Sequence, residues 1–143
     1  MKKGKLIAIG IGPGHSDDLT PRARKALASA HVVVGYGPYC RQIAPLLRGK
    51  RVITSGMRRE VERCARAIEE ARKGATVAVI SSGDAGVYGM AGLLLELLAQ
   101  QPRYRVDLKV VSGVTAATAA AAVLGAPLSN DFAVISLSDL LTP

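Results

Sequence analysis

The sequence predicts an α/β domain whose mostly parallel sheet is covered by helices on both faces. Short apolar runs alternate with helix-forming segments along the chain, and glycine-rich loops follow several of those runs. The runs are also continuous rather than alternating with polar residues. A strand buried on both faces reads this way, because crossover helices cover a parallel sheet above and below. With 143 residues and 49% hydrophobic content, the chain is the size of one domain and can bury a real core.

Each element has its own signal. Leu6 to Ile9 reads as a buried strand. Thr20-Pro21 opens a helix, with threonine as N-cap and proline at the first helical position, where a missing N–H costs nothing. Val32 to Val34 is a second strand, followed by an irregular Gly35-Tyr36-Gly37-Pro38-Tyr39 stretch and a short helix near Arg41 to Leu47. Arg51 to Ile53 is a short strand, and Arg58 to Arg72 is the clearest helix, ended by Gly74. Thr76 to Ile80 is another strand, with a helix from about Val87 to Ala99 after it. Arg105 to Val111 is a strand, Thr115 caps an alanine-rich helix ending before Gly125, and Phe132 to Leu137 is a last apolar run. Thr142-Pro143 repeats the grammar of Thr20-Pro21, so another helix is expected to start there. Residues 1–137 therefore read as one domain and 138–143 as the start of a connection to a further, absent domain.

Composition narrows the function. No apolar run reaches the length of a membrane span, and the apolar stretch after Met1 to Lys5 is too short for a signal peptide. The expectation is a soluble, cytoplasmic protein without a membrane partner. Of the two cysteines, Cys64 falls on an apolar helical stripe with Val61, Ala65, Ile68 and Ala71 and reads as core, whereas Cys40 sits in a loop-like stretch as a free thiol. There is no CxxC and no His/Cys cluster with metal-ligand spacing, and His15 and His31 are isolated, so no metal site is expected.

The formal charge of +8 has two readings. One is solvated helix faces, since Arg22, Arg24, Lys25, Arg58, Arg59, Arg63, Arg66, Arg72 and Lys73 all lie on expected helices. The other is attraction of an acidic partner. With one Phe, four Tyr and no Trp to stack bases, and no compact basic run, nucleic acid is a poor candidate. A small polyanionic substrate fits better.

The loops carry the chemistry. Gly10-Ile11-Gly12-Pro13-Gly14 and Ser81-Ser82-Gly83-Asp84-Ala85-Gly86-Val87-Tyr88-Gly89 each follow a strand. Open α/β sheets bind ligands beyond the carboxyl ends of their strands. A dinucleotide fingerprint fails on detail: His15 stands where the third glycine belongs, Pro13 removes a backbone donor, and Asp17 and Asp18 would repel phosphates at the helix start. No Gly-Lys-Ser/Thr of a phosphate-binding loop is present. A less negative ligand suits these loops. Asp84 is either an acceptor for an amine or ribose or a turn aspartate. Val87 and Met90, one helical turn apart, are either an apolar platform for an adenine or core. Ser112-Gly113-Val114-Thr115-Ala116-Ala117 is a third strand-to-helix junction, with Thr115 an N-cap in its own right.

Gly10-Ile-Gly-Pro-Gly14, Ser81-Ser-Gly-Asp84 with Gly86-Val-Tyr-Gly89, and Gly113-Val-Thr-Ala-Ala117 together resemble the tetrapyrrole methylases. Val33-Val-Gly-Tyr36, Ser55-Gly-Met-Arg-Arg-Glu-Val-Glu62 and Asn130 to Pro143 resemble the members that act at C17 of precorrin-3B. The resemblance implies the N-terminal domain of that fold, S-adenosylmethionine as cofactor, and methyl transfer to C17 with ring contraction in cobalamin biosynthesis. It implies cofactor contacts at Pro13, Ser82, Gly83, Asp84, Val87, Met90, Thr115 and Ala116, and a carboxylate-rich tetrapyrrole near Tyr36, Arg58, Arg59 and Arg63. A homodimer is expected. Ala85 stands where relatives often carry proline, which loosens the second loop, and Gly37 departs from the uroporphyrinogen-acting members. No catalytic base is assigned; Asp84 and Tyr36 are the candidates. The competing readings are a non-catalytic cofactor-binding module and, more distantly, a dinucleotide-dependent oxidoreductase domain.

Overall fold

The computed structural model describes residues 4–137. Strands β1 (Gly4–Gly10), β2 (Val32–Tyr36), β3 (Arg51–Ser55), β4 (Thr76–Ser81) and β5 (Val106–Val111) form a parallel sheet in the order β3-β2-β4-β1-β5. Helices α1 (Pro21–Ser29) and α2 (Gly37–Gln42) lie on one face, and α3 (Glu60–Arg72) and α4 (Met90–Ala99) on the other. The distribution follows from handedness. Parallel crossovers are right-handed, so the chain covers one face while it moves outward through β2 to β3 and the opposite face on its return through β4 to β5.

Successive residues of a strand point to opposite faces. Leu6 and Ala8 of β1 accordingly join Val77, Val79 and Leu94 in the core under α3 and α4. Ile7 and Ile9 join Ala78, Ile80 and Leu27 in the core under α1 and α2. Burial of each large aliphatic side chain contributes about 1.5–3 kcal/mol, so the unbroken apolar runs stabilise both layers at once.

The expected helix starts hold for α1 and α5 (Ala116–Leu124). The Thr20 hydroxyl accepts from the Ala23 N–H at 3.0 Å, and the Thr115 hydroxyl from the Ala117 N–H at 3.4 Å. Elsewhere the boundaries move. α2 begins at Gly37 rather than near Arg41, with Pro38 in its first turn, where a fixed φ favours a helix start; Ala44–Leu47 is a separate 3-10 turn. Cys40 is therefore helical and buried, not a loop residue. On α3 the buried stripe is Arg63, Cys64, Ala67, Ile68 and Ala71, while Val61 and Ala65 face outward. α4 starts at Met90, three residues later than about Val87, because Tyr88 has a φ of 51° that no helix accommodates. The apolar run Phe132 to Leu137 forms neither strand nor helix, and all of it except Ser136 is exposed. Residues 138–143, and with them the helix expected at Thr142-Pro143, lie outside the described residues. No helix among the described residues is long and apolar enough to cross a membrane.

Both thiols are free and buried. Desolvation pushes the Cys64 thiol up to about 12, with Arg63 pulling the other way and Glu60 adding to the rise; burial also raises Cys40. A thiol reagent at mildly alkaline pH is expected to label neither cysteine in the folded chain and both after denaturation. The folded chain holds the Cys64 proton where the unfolded chain has lost it. Stability contributed by that difference is full below the ordinary thiol value of 9.0 and falls as pH rises towards 12, which a series of denaturation curves measures.

Candidate functional site

β4, β1 and β5 are neighbours in register: Gly10 pairs with Ser81, and Ile9 with Val111. Their following loops therefore leave the sheet side by side. β1 then leads outward to one face and β4 back across the other, which opens a crevice at this switch point.

Backbone bonds join the loops. Gly12 and Gly83 exchange N–H to carbonyl bonds of 3.0 and 2.8 Å, and the Ile11 N–H donates to the Ser81 carbonyl at 2.9 Å. A Cβ at Gly10 would stand 2.6 Å from the Gly83 oxygen, 2.8 Å from the Gly113 nitrogen and 2.9 Å from the Ala85 nitrogen. Any side chain there would push all three loops apart, so glycine is required by close approach.

Asp84 braces the same junction. One carboxylate oxygen accepts from the Gly113 N–H at 2.8 Å and the other from the Gly86 N–H at 2.8 Å, tying the second loop to the third and closing its own turn. The turn-aspartate role weighed from the sequence is thus present, extended across to β5. The Ser81 hydroxyl accepts from the Met90 N–H at 3.0 Å and sets the start of α4.

The structure brings Pro13, Ser82, Gly83, Asp84, Thr115 and Ala116 to one edge. Gly83, at a φ of 64°, lies with its bare α-carbon towards Thr115 and Ala116. Val87 and Met90 do not share a helical face: Val87 precedes the helix and is exposed, whereas Met90 is buried in the core under α3 and α4. Tyr36 ends β2 and packs edge-on to Tyr39, with ring centroids 5.1 Å apart. Arg58 and Arg59 are exposed just before α3 rather than on it, and Arg59 pairs with Glu62 at 3.0 Å.

Arg63 overturns the reading as a solvated helix face. It is only 4% exposed. Its Nε donates to the Ser55 hydroxyl at 2.9 Å, one terminal nitrogen to the Gly56 carbonyl at 2.9 Å, and the other to Met90 Sδ at 3.8 Å. The guanidinium also lies 5.9 Å from the Tyr36 ring centroid. Sequence reasoning grouped it with the other basic residues of α3; its position beside Cys64 on the buried stripe was the available signal.

An open α/β sheet with glycine-rich loops gathered at a switch point is the architecture in which α/β domains bind small molecules. The profile of the tetrapyrrole (corrin/porphyrin) methylases matches residues 5–143, and the chain belongs to that family. It is 54% identical over 138 residues to the probable cobalt-factor III C(17)-methyltransferase of Salmonella typhimurium, covering 96% of this chain and 57% of that protein. It is also 54% identical to the protein of the same name from Methanothermobacter thermautotrophicus, covering 94% of this chain and 37% of that one. Among solved structures, the methyltransferase CobJ superposes with a TM-score of 0.90 at 43% identity, over 98% of this chain and 59% of that one. The uroporphyrin-III-C-methyltransferase from Thermus thermophilus superposes at 0.74 with 31% identity, over 90% of this chain and 55% of that one. The chain thus spans little more than half the length of the Salmonella relative.

Asp84→Ala removes two bonds from backbone N–H groups to a carboxylate and is expected to cost about 1.5–3 kcal/mol. Asp84→Asn keeps one oxygen acceptor and is expected to cost less. Urea denaturation midpoints of the two variants and the parent measure the difference.

Proposed function

We propose that this chain forms the S-adenosylmethionine-binding half of a methyltransferase that acts at ring carbon C17 of a partly reduced tetrapyrrole, with ring contraction, in cobalamin biosynthesis. One observation carries the reading. Three small-residue loops converge at the switch point of a chain 54% identical to proteins named for C17 methyl transfer. The names of those relatives favour cobalt-factor III over the metal-free precorrin-3B as substrate.

The residues present suit that cofactor. Pro13, Ser82, Gly83, Thr115 and Ala116 put backbone and small side chains along the crevice, nothing stands within 4 Å of a Cβ built on Gly14, and exposed Val87 offers an apolar contact to a flat ring. Asp84 and Met90 serve this site from behind: Asp84 holds the loops in place, and Met90 anchors α4. The cofactor supplies an electrophilic methyl group. The chain's part is to fix that group in line with the ring carbon and to exclude water, since well-oriented positioning can supply up to about 7–11 kcal/mol of a barrier. Arg58 and Arg59, exposed on the β3–α3 connection, draw in the carboxylates of the tetrapyrrole, with Tyr36 at the end of the neighbouring strand β2. The exposed apolar side chains Val123, Leu124, Ile135 and Leu137 support pairing with a second copy of the chain, and the two buried free thiols suit a cytoplasmic setting.

Calorimetric titration with S-adenosylhomocysteine, with NAD as control, tests the reading. Saturable binding of the former only, weakened by Asp84→Ala, is the expected result. Binding of NAD instead would overturn it. So would absence of binding that persists after the C-terminal half of the Salmonella relative is joined to the chain.

A further inference from the structure

Arg63 holds a charge inside the protein with no ion-pair partner among the described residues. Among the described residues no carboxylate comes within 4.0 Å of its guanidinium, although Glu62 and Glu60 are on the same helix. A guanidinium carries five N–H donors. Ser55, Gly56 and Met90 take three, the last through a thioether, which is a weak acceptor; five less three leaves two for something else. The side chain also forms part of the wall of a cavity of about 140 Å³. Tyr39, Ser81, Ser82 and Tyr88 share that wall.

We propose that this cavity is a carboxylate-binding subsite in which Arg63 receives the charge. The planar guanidinium fork matches a carboxylate, and Ser55 and Gly56 fix its orientation in advance, so little side-chain entropy remains to be lost on binding. The hydroxyl-bearing residues Ser82 and Tyr39 line the space with further donors, while the Tyr88 hydroxyl is engaged with the Val134 carbonyl. Glu60 lies on the same wall and offsets part of the positive charge. A singly charged carboxylate is therefore favoured over a doubly charged phosphate. Ser82 belongs to the second glycine loop as well, so the subsite adjoins the crevice.

The inference rests on the methyltransferase reading, under which two molecules bring a carboxylate: the tetrapyrrole through its side chains and the cofactor through its amino-acid end. The test separates them. The 143-residue chain is titrated with uroporphyrin, with its neutral glycol ester, and with S-adenosylhomocysteine. The titrations are repeated with Arg63→Met, Arg63→Lys and Tyr39→Glu, each checked by circular dichroism and thermal melting. Arg63→Met is expected to weaken uroporphyrin binding about 10- to 100-fold, the weight of charge-assisted hydrogen bonds. It should also erase the preference of the parent for acid over ester, with Arg63→Lys recovering part of it. Tyr39→Glu puts a competing carboxylate into the cavity and should weaken the acid similarly with Arg63 in place, so the inference stays testable if Arg63→Met fails to fold. The same pattern for S-adenosylhomocysteine alone assigns the subsite to the amino-acid end of the cofactor. Unchanged binding of both ligands in folded variants overturns the subsite and leaves the functional reading standing. Failure to bind either ligand that persists after the C-terminal half of the Salmonella relative is joined to the chain removes the functional reading and the subsite with it.

Discussion

The site depends on the absence of a side chain at Gly10. Three backbone atoms from the second and third loops come to within 3 Å of where its Cβ would stand, and no rotamer relieves a clash with backbone. Register makes this unavoidable. Gly10 pairs with Ser81 at the end of β4, and β5 ends at Val111 beside Ile9, so all three chains turn away from the sheet at one level. Close approach then permits the Gly12–Gly83 bridge and puts the Gly113 N–H within reach of the Asp84 carboxylate. A wall built from backbone in this way is rigid without bulk. A binding surface that must hold a small molecule in one orientation needs both properties.

Behind that wall, Arg63 connects elements that the sheet alone leaves apart. From the Ser81 hydroxyl the contacts run to the Met90 N–H, from Met90 Sδ to Arg63, and from Arg63 to Ser55 and Gly56 at the end of β3. The end of β4 and the end of β3 are separated by β2 in the sheet, and the guanidinium spans the gap. Taking an ion out of water costs several kcal/mol in real proteins. Hydrogen bonds to a charged group return about 1.5–3 kcal/mol each, and the contact over Tyr36 adds about 0.5–2 kcal/mol. The bonds to Ser55 and Gly56 offset much of that cost, and the thioether adds little.

The layered fold was legible because its signals are one-dimensional. A strand covered on both faces has to be apolar throughout, and caps such as Thr20 and Thr115 act on residues two or three positions away. The three loops were legible for the same reason, being glycine-rich at strand ends. What escaped depends on relations between distant residues. Cys40 looked like a loop residue because the glycines and proline around it are turn formers, yet Pro38 at a helix start and the core beneath turned them into α2. Val87 and Met90 looked like one helical face because the helix was read as starting before Tyr88, whose positive φ delays it. Arg63 looked like its basic neighbours, and only the position of β3 and α4 around it makes it a buried charge. Phe132 to Leu137 has the composition of a strand but no strand partner among the described residues.

That last segment bears on how the site is completed. α5 buries none of its residues, and Val123, Leu124, Ile135 and Leu137 beyond the third loop are exposed, although they are as apolar as the core. Apolar surface contributes only about 25 cal/mol per Å² when removed from water, so these residues add nothing to the fold until something covers them. The Tyr88 hydroxyl ties the segment to the site, donating to the Val134 carbonyl at 2.8 Å. Tyr88 is also, among the described residues, one of two non-glycine residues at positive φ, with Arg58 the other, and both stand on connections at the carboxyl edge. Backbone strain of this kind costs about 1–3 kcal/mol and persists only where neighbouring contacts over-determine it. The strained positions thus stand at the edge where the loops converge, and the Tyr88 hydroxyl ties the uncovered apolar segment to that edge.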